Sequence, residues 1–195
     1  MPPTLVITAV AHVPDASRTV TADLKSAGNI LLLLGNTSAE FGGSHSAMIF
    51  EPGSAASSQV QGQTSSRGPV PQFDSAAPSR YRALHAAMQL GLIKSCHDCS
   101  EGGVGIAIAE MAIAGRIGAR IDSCNDSEND AAILMFSESL GRFVVEVAPS
   151  DVAAVQSMIA DCAVIGATTT TQQLVLPDGA SIEIAELLRV WSSRS

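Results

Sequence analysis

Residues 104–114, VGIAIAEMAIA, carry a single polar side chain, Glu110, and at helical spacing they show apolar surface on every side. Such a helix has no face to give to water and must be buried. The run Ile30–Leu34 (ILLLL), stopped by Gly35, makes the same demand of a strand and suits one buried on both faces. A chain holding both needs layers. Its short apolar segments alternate between the two periodicities, which argues for an α/β or α+β fold around one sheet. The 195 residues suffice for one domain of ordinary size.

Around these two segments the pattern predicts strands over 4–13, 47–50, 92–96, 117–121, 131–136, 142–147, 163–165, 174–176 and 182–184. Asp178-Gly179 between the last two is a hairpin signal. Helices are expected over 78–90, 104–114, 151–160 and 185–191, with Ser150 as an N-cap. Residues 1–28 read as an N-terminal strand and linker. Residues 51–75 are dominated by Ser, Gly, Pro, Gln and Thr, and read as a long flexible insertion inside a single domain spanning 1–195.

Composition excludes several function classes. The net charge is −8, and nine Arg and two Lys are scattered without a basic stripe, so a phosphate-backbone partner is not expected. Aromatics are 4% of the chain, too few for a base-stacking platform. No apolar run reaches the ~18–20 residues of a membrane span. Residues 1–4 do not begin a signal peptide. Four cysteines do not suggest a disulfide scaffold. The expectation is a reduced, cytoplasmic protein that binds neither nucleic acid nor membrane.

The stretch of residues 96–103, CHDCSEGG, is the most informative for chemistry. A strand runs into a polar turn, then Gly102-Gly103, then the buried helix. Glycines allow close approach of a ligand to the backbone, and a helix N-terminus offers free N–H groups and partial positive charge, a physical recipe for holding phosphate. Asp98 and Ser100 stand beside it. The competing reading is a tight turn in which Asp98 or Ser100 caps the helix. Cys96-x-x-Cys99 before a helix also fits a thiol oxidoreductase, or else two small half-buried side chains. Gly42-Gly43-Ser44 is a second glycine turn that can bring backbone N–H groups to a ligand, or form a simple bulge before a strand. Glu138, Ser139 and Arg142 lie on a turn between predicted strands. Glu138 and Arg142 can pair with each other, which spacing favours, or Glu138 can bind a ribose hydroxyl or a metal-bound water and Arg142 an anion. The acids between 122 and 130 lack the glycine and terminal Glu of an EF-hand and read as a solvated loop.

Taken in order, four segments resemble one family. Residues 95–103 running into Ala109-Glu110-Met111-Ala112, residues 32–35 leading to Gly42-Gly43-Ser44, and Phe136-Ser137-Glu138-Ser139 followed by residues 141–145 resemble motifs of phosphoribosylformylglycinamidine synthase. The N-terminal strand and the chain's end fit as well. The resemblance covers nearly everything except about residues 51–72, and it is to the last C-terminal domain of that multidomain enzyme, a domain of the aminoimidazole ribonucleotide synthetase type. It implies a mixed sheet flanked by helices. It implies ATP-dependent, Mg²⁺-assisted conversion of an amide to an amidine in purine biosynthesis, with glutamine-derived ammonia. It also implies an isolated chain that is not a complete catalyst, because the family's catalytic His and most ATP and Mg²⁺ ligands lie in other domains. His97 is therefore not equated with the catalytic base. Asp98, Ser100, Gly102, Gly103, Gly42, Gly43, Ser44, Glu138, Ser139 and Arg142 are the candidates for nucleotide or anion contact. The expected partners are the other domains or subunits of the synthase, with nucleotide and a second copy of the chain left open. The mean hydropathy of +0.27 fits a chain that buries surface against partners. A non-catalytic interaction module of the same fold is the alternative. Selenophosphate synthetase, thiamine monophosphate kinase and a hydrogenase maturation protein share the architecture.

Overall fold

In the computed structural model the described residues are 6–50, 69–122 and 128–193. The expected insertion therefore falls largely outside them, as does part of the acidic stretch.

Ile30–Leu34 forms β1, and Leu31, Leu32, Leu33 and Leu34 are all buried. Having no polar side chain, this strand needs cover on both faces and a neighbour on both edges. It lies between β4 (Phe143–Val147) and β5 (Cys162–Thr169), antiparallel to each. The sheet continues through β2 (Ile93–Asp98), β3 (Gly118–Ile121), β6 (Gln173–Val175) and β7 (Ser181–Glu183), in the order β2-β4-β1-β5-β3-β6-β7. Only β3–β6 is parallel, so the sheet is mixed.

Alternate residues of β1 point to opposite faces. Leu31 and Leu33 meet the helices α3 (Gly103–Gly115), α4 (Glu128–Phe136) and α6 (Ile184–Ser192). Leu32 and Leu34 meet α2 (Ala77–Gln89) and α5 (Val152–Met158) through Leu84, Ala87 and Val155. The helix read as buried on every side is buried along most of its surface: Val104, Ile108, Met111 and Ala112 of α3 are fully covered, but Ile106 is 44% exposed and shares a solvent-facing stripe with Glu110 and Ala114. At Gly115 a Cβ would strike the backbone of Leu24, so the helix end and the N-terminal segment approach more closely than any other residue allows. No described helix is long and apolar enough to cross a membrane.

Four expectations fail. Residues 131–136 form the end of helix α4, not a strand, because an all-apolar run carries no period and packing against α3 decides its form. Residues 47–50 belong to helix α1 (His45–Phe50). Ser150 does not cap: it lies in the 3₁₀ turn Pro149–Asp151, and its hydroxyl donates to the Asp151 carboxylate. Residues 6–13 of the expected N-terminal strand pair with no strand among the described residues.

Two buried charges hold connecting segments to the core. The Glu146 carboxylate, fully buried on β4, accepts from the Lys25 and Ser26 N–H groups, Asn29 Nδ2 and Ser95 Oγ at 2.7–3.0 Å. Arg80 of α2, 4% exposed, donates through Nη2 to Asp74 and Asp161 and through Nη1 to the Gly141 carbonyl. The Ala76 N–H and then the Arg80 guanidinium hold the Asp74 carboxyl below its ordinary value.

Replacing Glu146 leaves four donors competing for poorer acceptors. Glu146→Gln is expected to cost about 2–3 kcal/mol, read as a lower urea midpoint at unchanged slope. Because the Asp74 value is lowered in the folded state, its stabilisation is complete above the ordinary carboxylate range and is lost as pH falls through the folded value. Asp74→Asn should therefore show a shallower loss of stability on acidification below about pH 5, measured by urea unfolding at several pH values.

Candidate functional site

Three segments distant in the sequence meet at one end of the sheet. Asp98 of β2 pairs with Phe143 of β4, and the Cys99 N–H donates to the Arg142 carbonyl, so the turns 98–103 and 137–142 lie side by side. Residues 35–44 close over them. Ser137 Oγ donates to the Ser38 carbonyl, the Ser38 N–H to Ser139 Oγ, and Ser139 Oγ to Glu40 Oε2, at 2.5–3.1 Å.

Glu138 is the centre of this junction. One oxygen, Oε1, accepts the Gly102 N–H at 2.8 Å and the His45 N–H at 2.9 Å. His45 Nδ1 stands 3.7 Å from the same atom. Two backbone donors thus converge on a single carboxylate oxygen, which sits where the sequence reading placed a phosphate. Gly102 and Gly103 are both left-handed, with φ of 80° and 70°. A Cβ at Gly103 would overlap the carbonyl oxygens of Ser137 and Met135, so this crossing admits only glycine. Neither Asp98 nor Ser100 caps α3, whose N-cap is Gly102 with no side-chain bond. Instead Ser100 Oγ donates to Asp98 Oδ2 at 2.5 Å on the exposed rim.

Arg142 does not pair with Glu138. Its guanidinium, 1% exposed, donates from Nε to the Ser139 carbonyl, from Nη1 to Thr37 Oγ1 and from Nη2 to the Ser137 carbonyl, at 2.5–3.1 Å. It makes no ion pair among the described residues. Burial pulls its pKa below the ordinary arginine value, and Glu40 and Glu138 nearby act the other way. Its geometry is that of a tie between two loops.

Gly42-Gly43-Ser44 leads into a helix and not a strand. Gly43 is left-handed, and the buried Ser44 hydroxyl accepts the Ala47 N–H, tying the start of α1. The Ser-x-x-Ala spacing was the available signal, and strand-like composition over 47–50 masked it. Glu40, Thr37 and Ser38 were not singled out in the sequence. Nothing local marks them, because their partners lie about a hundred residues away.

Beside the junction is a cavity of about 460 Å³, lined by Asp98, Ser100, Glu138 and Arg142, with Tyr81 and Phe143 in edge-to-face contact at 5.5 Å. His97 lies apart from it. Its Nδ1 is 2.7 Å from the Asp98 carbonyl oxygen and its Nε2 3.0 Å from Glu110 Oε2 on α3, so both ring nitrogens are engaged. Among the described residues no group of three or more His, Cys, Asp or Glu side chains is placed to hold a metal ion.

Three comparisons bear on the fold and the family. The family described as AIR synthase related protein, C-terminal domain, matches residues 26–178. A phosphoribosylformylglycinamidine synthase subunit PurL from Alkaliphilus metalliredigens is 36% identical over 158 residues, covering 80% of this chain and 20% of the relative. The chain therefore spans about a fifth of that relative's length. Among solved structures, Thermotoga maritima PurL complexed with FGAR superposes with a TM-score of 0.69 at 19% identity, covering 88% of this chain and 30% of that one. E. coli HypE, a hydrogenase maturation protein, superposes with a TM-score of 0.54 at 16% identity, covering 85% and 51%. These structural likenesses establish the shared fold, a mixed sheet with helices.

The thiols argue against redox chemistry. Burial first, then the Asp98 charge, pushes Cys96 up to about 12, and burial pushes Cys99 to about 11, the opposite of an activated pair. In the native protein at pH 8, Cys96 and Cys99 should resist iodoacetamide and become labelled only after denaturation, as read by peptide mass mapping.

Proposed function

Because the chain belongs to the AIR synthase related protein, C-terminal domain family, we propose that it is the C-terminal domain of an ATP-dependent phosphoribosylformylglycinamidine synthase. That enzyme is a carbon–nitrogen ligase of purine biosynthesis, here a cytoplasmic one. The observation that carries this reading is the junction itself. The segments 35–45, 98–103 and 137–142, which hold the motif residues, are drawn together, and the last two line one cavity. The 36% identity to a synthase subunit supports the same assignment.

In the proposed reaction a substrate amide oxygen is activated at the expense of ATP and displaced by glutamine-derived ammonia, giving an amidine. The residues present do not fit a magnesium nucleotide unaided. The Gly102 and His45 amides are already taken by Glu138, and the Arg142 donors by carbonyls and Thr37. The cavity rim offers carboxylates, which repel phosphate. The chain's part is therefore positional. Glu138 fixes the Gly102–Gly103 turn against α1, Arg142 fixes the 137–139 loop against Thr37, and Asp98 and Ser100 present polar groups to a ligand held mainly by other domains. Both metal and nucleotide contacts are supplied across that interface.

Calorimetric titration of the isolated chain with Mg-ATP and Mg-ADP should show no saturable binding, and the chain alone should show no synthase turnover. Added to a synthase that lacks its matching domain, the chain should restore turnover. Glu138→Ala should reduce that turnover by about tenfold or more, by loosening the turn it holds. Turnover by the chain alone overturns the reading. Restored turnover indifferent to Glu138→Ala and Arg142→Ala would instead favour a module that only holds the assembly together.

A further inference from the structure

Residues 6–13, Val-Ile-Thr-Ala-Val-Ala-His-Val, are rich in β-branched side chains and carry no Asp, Glu, Lys or Arg. In extended form Ile7, Ala9, Ala11 and Val13 share one face, which is wholly apolar, while Val6, Thr8, Val10 and His12 make a mixed one. That is the pattern of a strand with one side against a core. Yet every one of these residues is exposed, with Val6 at 83%, Ile7 at 79% and Val10 at 93%. Residues 6–13 form no backbone hydrogen bond with the described residues.

The way the chain enters the domain explains why its own sheet does not take the segment. Asp15 caps a short turn by accepting the Ser17 N–H at 2.9 Å. Arg18 Nη1 then donates to the Gln89 carbonyl, and the Thr21 carbonyl accepts the Cys96 N–H on the outer side of β2. The nearer edge of the sheet is thus covered by residues 18–21, and everything before them is directed off it. The family match begins at residue 26, and none of residues 6–13 is buried in the core.

We propose that residues 6–13 are a donated strand, which pairs with an open sheet edge of another domain of the synthase. This rests on the functional reading above. Eight residues span about 26 Å when extended, longer than an average strand. A bare row of N–H and C=O groups beside uncharged apolar side chains is a surface that proteins cover. Strand addition satisfies the backbone and buries the apolar face in one step. The occupant is another domain because the chain spans a fifth of its relative, leaving most of that protein's length to supply the edge.

The probe is the Alkaliphilus relative with the stretch matching this chain removed. Mixed with the intact chain, it should form a one-to-one complex by light scattering. The amides of residues 6–13 should exchange freely in the chain alone and become protected by about a hundredfold or more in the complex. Deletion of residues 2–13, and Ala9→Pro, which removes one N–H at little cost in side-chain volume, should each weaken the complex by about tenfold or more. The thermal midpoint of the domain should stay unchanged in both, which excludes a folding defect. A complex equally tight without the arm overturns the inference and leaves the functional reading standing. No complex with the intact chain removes both. An arm-dependent dimer of the chain in place of the complex makes a second copy the occupant, and overturns the proposal as stated.

Discussion

Strand β1 has no polar side chain to turn toward water, and the rest of the fold follows from that. Its two faces need two separate helix layers, and its two edges need β4 and β5. Helix α3 meets a similar constraint from the other side: almost wholly apolar, it packs between the sheet and α4 and α6 and leaves only a narrow stripe at Ile106 and Glu110 toward solvent. With both buried, the chain has few ways left to connect them. The polar turns between strands collect at the sheet's end, where the candidate site is found.

Charge is used inside this fold mainly to hold backbone. Glu146 binds three N-terminal residues to β4, Arg142 joins two loops through the Ser137 and Ser139 carbonyls of one and the Thr37 hydroxyl of the other, and Glu138 binds two amide donors with one oxygen. Each compensates a buried or half-buried charge mainly by hydrogen bonds from fixed dipoles. The functional consequence is direct. Groups that look like ligand binders in the sequence are occupied in holding the turns beside the cavity. A domain built this way suits an interface, and the exposed arm of residues 6–13 is a second sign of the same incompleteness.

Much of this was legible in the residues. The two-sided burial of residues 30–34 and the hairpin at Asp178-Gly179 stand as read, and the helix over 104–114 is buried apart from a stripe at Ile106 and Ala114, because each rests on a strong local pattern. Residues 131–136 were misread as a strand because six apolar side chains in a row fit either form, and the contact with α3 alone decides. The motif segments come together at one end of the sheet, but the partners of their side chains were not legible. Spacing favoured a Glu138–Arg142 pair, and the fold instead sends the two side chains to different loops.

The amino-acid sequence by itself determined which segments must be buried, where the chain must turn, and that Gly102-Gly103 marks a crossing. These depend on side-chain polarity and backbone freedom within a few residues. Only the tertiary structure decided that Glu40, Ser38 and Thr37 join the junction, that Cys99 is buried and Cys96 half-buried, and that residues 6–13 find no backbone partner among the described residues. Those facts depend on contacts between residues about a hundred positions apart, and on which sheet edges are already filled. Neither leaves a trace in any local stretch of the chain.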